Sequence, residues 1–279
     1  MQAFEGRTIA IATMHGKEKI IGPILEELGM KPCLPHSFDT DQFGTFAGEK
    51  ERELSPLDTA IMKCKAAMEL CHTDLAIASE GSYGAHPLIP FIPGGEELVV
   101  LVDKKNNWTI AARHICEATN FNGSSITSWE EAGLFLKNIG YPEHGVILKD
   151  RQSNPEVIFK GISDLKELEA ALSGLMQKNK IAWMESDMRA VHNPTRQNEI
   201  GTATRKLVNK LFQCCPSCNA PGFDTVDYTE GLPCSWCGQP TRSVLTVIYG
   251  CVACDFKKEQ WYPKGKEQED PMYCDHCNP

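Results

Sequence analysis

Eight cysteines carry the clearest chemistry in this chain. They form four C-x-x-C pairs, Cys215/Cys218, Cys234/Cys237, Cys251/Cys254 and Cys274/Cys277. A C-x-x-C turn points two thiolates at one tetrahedral cation, and two such knuckles close a shell of four. Four knuckles therefore predict two structural Zn2+ sites. The pairing is either first with second and third with fourth, or crossed as first with third and second with fourth. Glycines and prolines around the knuckles (CPSCNAPG, LPCSWCGQP, CDHCNP) suit tight turns. Disulfides fit poorly with a chain whose start, MQAFEGRTIAIATMHGK, lacks the basic end and long apolar run of an export signal. A thioredoxin-like pair takes one C-x-x-C in a βαβ setting, not four in series. Cys214 reads as a bystander. A cation with four protein ligands keeps no open position for substrate, so these sites hold the fold and catalysis lies upstream.

Two upstream segments bring chemistry-bearing residues to the end of an apolar strand. The first strand ends in Thr13-Met14-His15-Gly16-Lys17, and a lysine beside a helix N-terminus attracts phosphate. The segment Leu75–Ala78 runs into Ser79-Glu80-Gly81-Ser82-Tyr83-Gly84, where an acid suits Mg2+ binding or removal of a proton from water. The bland alternatives are an N-capping turn with a solvated lysine and an exposed polar turn. A third stretch, Glu185 to Arg196, packs acids, two arginines, His192 and Asn193 between an apolar strand and a helix. Its guanidiniums suit a phosphate clamp, against a capping turn at Asn193-Pro194-Thr195 and an Arg189–carboxylate pair.

The elements that must position these groups alternate. Strands are predicted at Arg7–Thr13, Asp74–Ala78, Leu98–Asp103, Thr109–Ala112, Gly145–Lys149, Val157–Lys160 and Ile181–Met184. Helices are predicted at Lys19–Leu28 (stopping at Gly29), from Ser55-Pro56 to about Leu70, and at Ser128–Asn138, Ser163–Gln177 and Gln197–Phe212, with residues 32–55 irregular. This pattern means an α/β domain with a mixed sheet over residues 1–212, followed by a small C-terminal double zinc-ribbon domain over 213–279. With 42% hydrophobic and 23% charged residues the chain is globular, not disordered. A net charge of −9 argues against a chain-wide nucleic-acid or anionic-membrane surface, and no apolar run is long enough to span a bilayer. The expected protein is soluble and cytoplasmic.

The run ATMHGKEKIIGPILEELG followed by LDTAIMKCKAAMELCHTDLAIASEGSYG is similar in order and spacing to the inosine triphosphate pyrophosphatase superfamily, including its Maf-like members. The likeness covers about residues 7–85 and extends loosely to 210. It implies a mixed-sheet fold of that kind and a Mg2+- or Mn2+-dependent pyrophosphohydrolase. Such an enzyme cuts a noncanonical or modified nucleoside triphosphate to the monophosphate and pyrophosphate. On this resemblance Thr13, His15 and Lys17 are the phosphate loop, Lys63 falls on the lysine of the helix motif, and Glu80 falls on the acidic strand end. Ser82, Arg189, Asn193 and Arg196 join the phosphate and nucleotide contacts. Departures stand at His15 and Thr59, both usually Asn, and at Ser79, usually one of two paired acids. Asp58, Glu51 or Glu53 is then the candidate for the missing carboxylate. The resemblance also implies a homodimer.

Two other functions fit the residues. The Ser79 departure suits a domain that binds nucleotides without hydrolysing them. The tail sets Arg242, Lys257, Lys258, Lys264 and Lys266 beside Trp236, Trp261 and Tyr262, a basic–aromatic mixture that suits nucleic acid, although Glu259, Glu267, Glu269 and Asp270 nearly balance it.

Overall fold

The computed structural model describes residues 3–14, 16–36, 38, 54–86, 91–116 and 118–279. The chain divides into two compact units, Met1–Leu207 and Val208–Pro279. Among the described residues no helix is long and apolar enough to cross a membrane.

The N-terminal unit is a mixed α/β fold built on two sheets. The first has the order β2-β1-β3-β4-β5, with β1 (Thr8–Ala12), β2 (Lys31–Cys33), β3 (Leu75–Ala85), β4 (Pro93–Asp103) and β5 (Trp108–Ile115). Strand β1 runs parallel to β2 and β3, whereas β3, β4 and β5 are mutually antiparallel neighbours. The β1–β3 pairing ends at Ala12 and Ala78, while β3 and β4 stay in register from Leu75/Asp103 to Ala85/Pro93. Helix α2 (Pro56–Cys71) covers one face. Its Ala60, Cys64 and Ala67 belong to one buried cluster with Ala10, Ala12, Ala76 and Ala78 of the sheet. Small residues on both sides let the helix lie close to the strands. Ser55 accepts a bond from the Asp58 amide and Pro56 opens the helix, as the sequence predicts.

The second sheet has the order β6-β9-β7-β8, all antiparallel, from β6 (Gly123–Ile126), β7 (Val146–Lys149), β8 (Ile158–Ile162) and β9 (Ala182–Ser186). Helices α3 (Trp129–Ile139) and α4 (Leu165–Asn179) share a buried core with it through Phe135, Leu136, Leu168 and Leu172. Two further α-helices among the described residues are α1 (Glu18–Glu26) and α5 (Pro194–Leu211), and the division between units falls inside α5.

The C-terminal unit is a three-stranded antiparallel sheet, β10-β11-β12, from β10 (Asp224–Glu230), β11 (Val244–Gly250) and β12 (Lys257–Trp261).

Two expectations are corrected. The first is Ser79–Gly84, read as the loop after a strand, which lies inside β3. Gly81 explains it: a side chain there would stand 2.6 Å from Arg196 Nη2 and from Glu97 Oε1, so the strand continues only because that position is bare. The second is the irregular segment, whose start holds β2; this strand is three residues long and includes a proline, too short for periodicity to register.

Candidate functional site

Charged residues from five elements converge around β3. Lys17, the residue before α1, is buried and donates from Nζ to the carbonyl of Ser79 at 2.8 Å and to its hydroxyl at 3.0 Å. Lys63 of α2 pairs with Glu80 Oε1 at 2.5 Å. Arg196 of α5 is 1% exposed; its Nε donates to Glu97 Oε1 at 2.7 Å, a second nitrogen donates to the Met188 carbonyl, and the guanidinium lies 5.5 Å from the Tyr83 ring centroid. The Tyr83 hydroxyl donates to the same Glu97 oxygen at 2.7 Å.

Strand alternation sorts these pairs. Ser79, Gly81 and Tyr83 share one face of β3, and Glu97, opposite Gly81 in the register, joins them. Arg196 and Glu97 therefore sit on that face, while Lys63 and Glu80 sit on the α2 face. Lys17 binds Ser79 just past the end of the β1–β3 pairing and feels both pairs. Burial first, then repulsion from Arg196, pulls its amine down to about 7 against the pull of Glu97 and Glu80. Burial pushes the Glu97 carboxyl up, but attraction to Arg196 and Lys17 outweighs it and holds the group below the usual carboxylate range. Burial likewise opposes the Arg196 charge, and Glu97 more than restores it.

Among the described residues, Lys17, Lys63 and Arg196 thus gather with Glu80 and Glu97 in a mostly buried place. Two hydroxyls nearby in the chain, Thr13 Oγ1 after β1 and Thr59 Oγ1 one turn before Lys63, are buried with no hydrogen-bond partner among the described residues, as is Glu97 Oε2. Buried polar atoms without partners mark places for water or a ligand.

The other predicted residues have local partners. Asn193 is fully buried and accepts from the Arg196 amide at 2.9 Å, capping α5, while its side-chain nitrogen reaches Asn120 and the Asp187 carbonyl. Arg189 pairs with the buried Asp187 at 2.5 Å. Asp58 accepts from the Ser55 hydroxyl at 2.6 Å at the exposed start of α2. Ser82 is exposed on β3. His15, Glu51 and Glu53 lie outside the described residues. Glu97 and Tyr83 are the two members that sequence reading missed. The signal for Glu97 is an acid in step with the buried Val99 and Leu101 of its strand.

Among the described residues, only cysteines gather three or more ligand atoms within 4.8 Å of one another, and Glu80 is engaged by Lys63.

Those cysteines form two tetrads, Cys215/Cys218/Cys251/Cys254 and Cys234/Cys237/Cys274/Cys277, so the knuckles pair first with third and second with fourth. Sulfur separations of 3.5 Å (Cys218–Cys251), 3.7 Å (Cys237–Cys274), 3.8 Å (Cys234–Cys277) and 3.9 Å (Cys215–Cys254) suit one shared cation. A tetrahedron of thiolates about 2.3 Å from zinc has edges of roughly 3.8 Å. Backbone amides of Ser217, Trp236 and Ala253 donate to Cys215, Cys234 and Cys251 at 3.3–3.4 Å, favouring thiolates. The tetrads can thus hold two structural metal ions such as zinc. Cys214 belongs to neither. Of the tail's basic residues, Lys266 is bound to Glu269 and Arg242 to Asp275.

The family model described as "Domain of unknown function (DUF6671)" matches residues 63–279, from Lys63 through both tetrads. No curated protein and no solved structure matches the sequence. With more than half of its length matched, the chain belongs to the DUF6671 family.

Proposed function

We propose that the N-terminal unit binds the triphosphate of a noncanonical or modified nucleotide at the edge of β3. The observation that carries this is Lys17, buried beyond the end of the β1–β3 pairing, where the Arg196 and Lys63 cations act on it against the Glu97 and Glu80 carboxylates. A phosphate there relieves the repulsion between Lys17 and Arg196, and the Thr13 hydroxyl, otherwise without a partner, donates to a phosphate oxygen. Cleavage between the α- and β-phosphates is the reaction that the resemblance implies. In it, Lys63 exchanges Glu80 for a phosphate oxygen, and the released Glu80 carboxylate takes a proton from the attacking water as the bond to pyrophosphate breaks. The cytoplasm, a reducing compartment, suits a chain none of whose thirteen cysteines is in a disulfide.

The second reading is binding without turnover. It is favoured by the placement of Glu80 and Lys63 on the face opposite Arg196. A panel of nucleoside triphosphates with Mg2+ or Mn2+, followed by pyrophosphate release and by calorimetry, separates the two. Release abolished by Glu80→Gln and Lys63→Ala supports the hydrolase; heat of binding with no release supports the binder. Absence of binding by every nucleotide rejects both.

A further inference from the structure

The N-terminal unit holds a second feature that the charged cluster does not use. A cavity of about 660 Å3 lies where the tips of β3 and β4 meet β6 and β9, a size ordinary for a small-molecule site. Three aromatic side chains, Phe91, Phe121 and Trp183, stand in its lining. The Trp183 indole donates to Glu185 at 2.7 Å and lies over Gly123, where a side chain would come within 2.6 Å of the ring. Phe121 forms another wall, and Phe91 stands at the lining with 88% of its surface exposed. The side-chain amides of Asn138 and Gln152 belong to residues that also line it.

We propose that this cavity is the subsite for the planar heterocycle of a nucleotide. Stacking surfaces with donor–acceptor amides at their margin are what a nucleobase asks for, since each base has two π-faces and a hydrogen-bonding edge. Continuity with the cationic centre favours this occupant over an unrelated aromatic compound. Phe121 lies 6.2 Å from the Tyr83 ring, and Tyr83 in turn lies beneath Arg196 on the face of β3 shared with Glu97. Two ring contacts therefore connect the cavity to the cation proposed to meet phosphate. This inference rests on the nucleotide-binding reading and assigns the end of the ligand that bears the base.

Calorimetry on the full chain with three probes tests the two readings apart: a nucleoside triphosphate, the matching nucleoside, and inorganic tripolyphosphate. The expected result is that the nucleoside triphosphate binds more tightly than tripolyphosphate. Trp183→Ala should then cut nucleotide affinity about tenfold or more while leaving tripolyphosphate affinity unchanged, and Trp183→Phe should retain most of the affinity. Phe91→Ala, at an exposed position, should show the same selectivity without touching the fold. Equal affinity for nucleotide and tripolyphosphate, or equal losses for both in these variants, overturns the base subsite and leaves phosphate binding standing. Nucleoside binding that Trp183→Ala abolishes, with no binding of tripolyphosphate, supports the subsite and rejects the phosphate reading. Binding of none of the three rejects both.

Discussion

In the C-terminal unit each tetrad joins two knuckles whose cysteines meet across 33 to 43 residues, and every knuckle has the same internal spacing. In the N-terminal unit the charged centre joins Lys63 to Glu80 across 17 residues, Lys17 to Ser79 across 62 and Arg196 to Glu97 across 99, with no spacing in common. A metal ion imposes its own geometry, so the ligands that satisfy it repeat and can be read along the chain. A charge network has no such template. Each of its members is placed by a different strand or helix, and the fold settles which charges meet.

The largest expected effect lies on the metal side. Zinc analysis should find two ions per chain, one for each tetrad. Cys237→Ser should reduce the content to one and remove the cooperative unfolding transition of the C-terminal unit, since such sites bind with about 10–16 kcal/mol of folding free energy. A chelator should do the same to both sites and leave the melting of the N-terminal unit in place. Retention of two ions in Cys237→Ser would break the contrast between the two regions.

On the charge side, Arg196→Met leaves the Glu97 carboxylate buried without its partner. Denaturant unfolding should show a loss of about 3–5 kcal/mol, and adding Glu97→Gln should recover part of it. Gly81→Ala should be damaging for the same reason, because the new methyl group meets both members of the pair. Little loss in either variant would mean that the cluster is open to water.

A smaller effect follows from Lys17. Its folded amine titrates near 7 and its unfolded one at the ordinary 10.5, so between those values the unfolded chain binds more protons. Stability should rise as pH climbs from about 7 toward 10 and gain nothing from this group below about 6. Lys17→Met should flatten that slope. If phosphate binds beside Lys17, binding above pH 7 should take up a proton, seen as a binding enthalpy that depends on the buffer. The smallest effect is Asn193→Ala, expected to cost about 1 kcal/mol as a lost helix cap, measured by thermal unfolding.

How much of this was legible differs by element. Helix α2 was readable to within a residue because its cap, proline and apolar spacing are local signals. The extent of β3 was not, because Glu80 and Gly81 look like a turn until the Arg196–Glu97 pair that occupies the space beside Gly81 is known. All eight knuckle cysteines were identifiable as ligands, yet their crossed partnership was not, since either pairing satisfies a tetrahedral ion. Lys17, Lys63, Glu80 and Arg196 were singled out by resemblance, motif or local charge. Their division between two faces of one strand depends on register, and sequence does not display register.

The crossed tetrads bear on how the protein is made. As the chain leaves the ribosome, Cys215/Cys218 and Cys234/Cys237 emerge before either rightful mate, presenting four thiols that could seize a single ion together. Such a premature cage would have to be dismantled once Cys251/Cys254 arrived, so for tetrads that take up a metal ion the order of uptake and synthesis matters. Holding zinc back until synthesis ends should raise the yield of correctly matured chains.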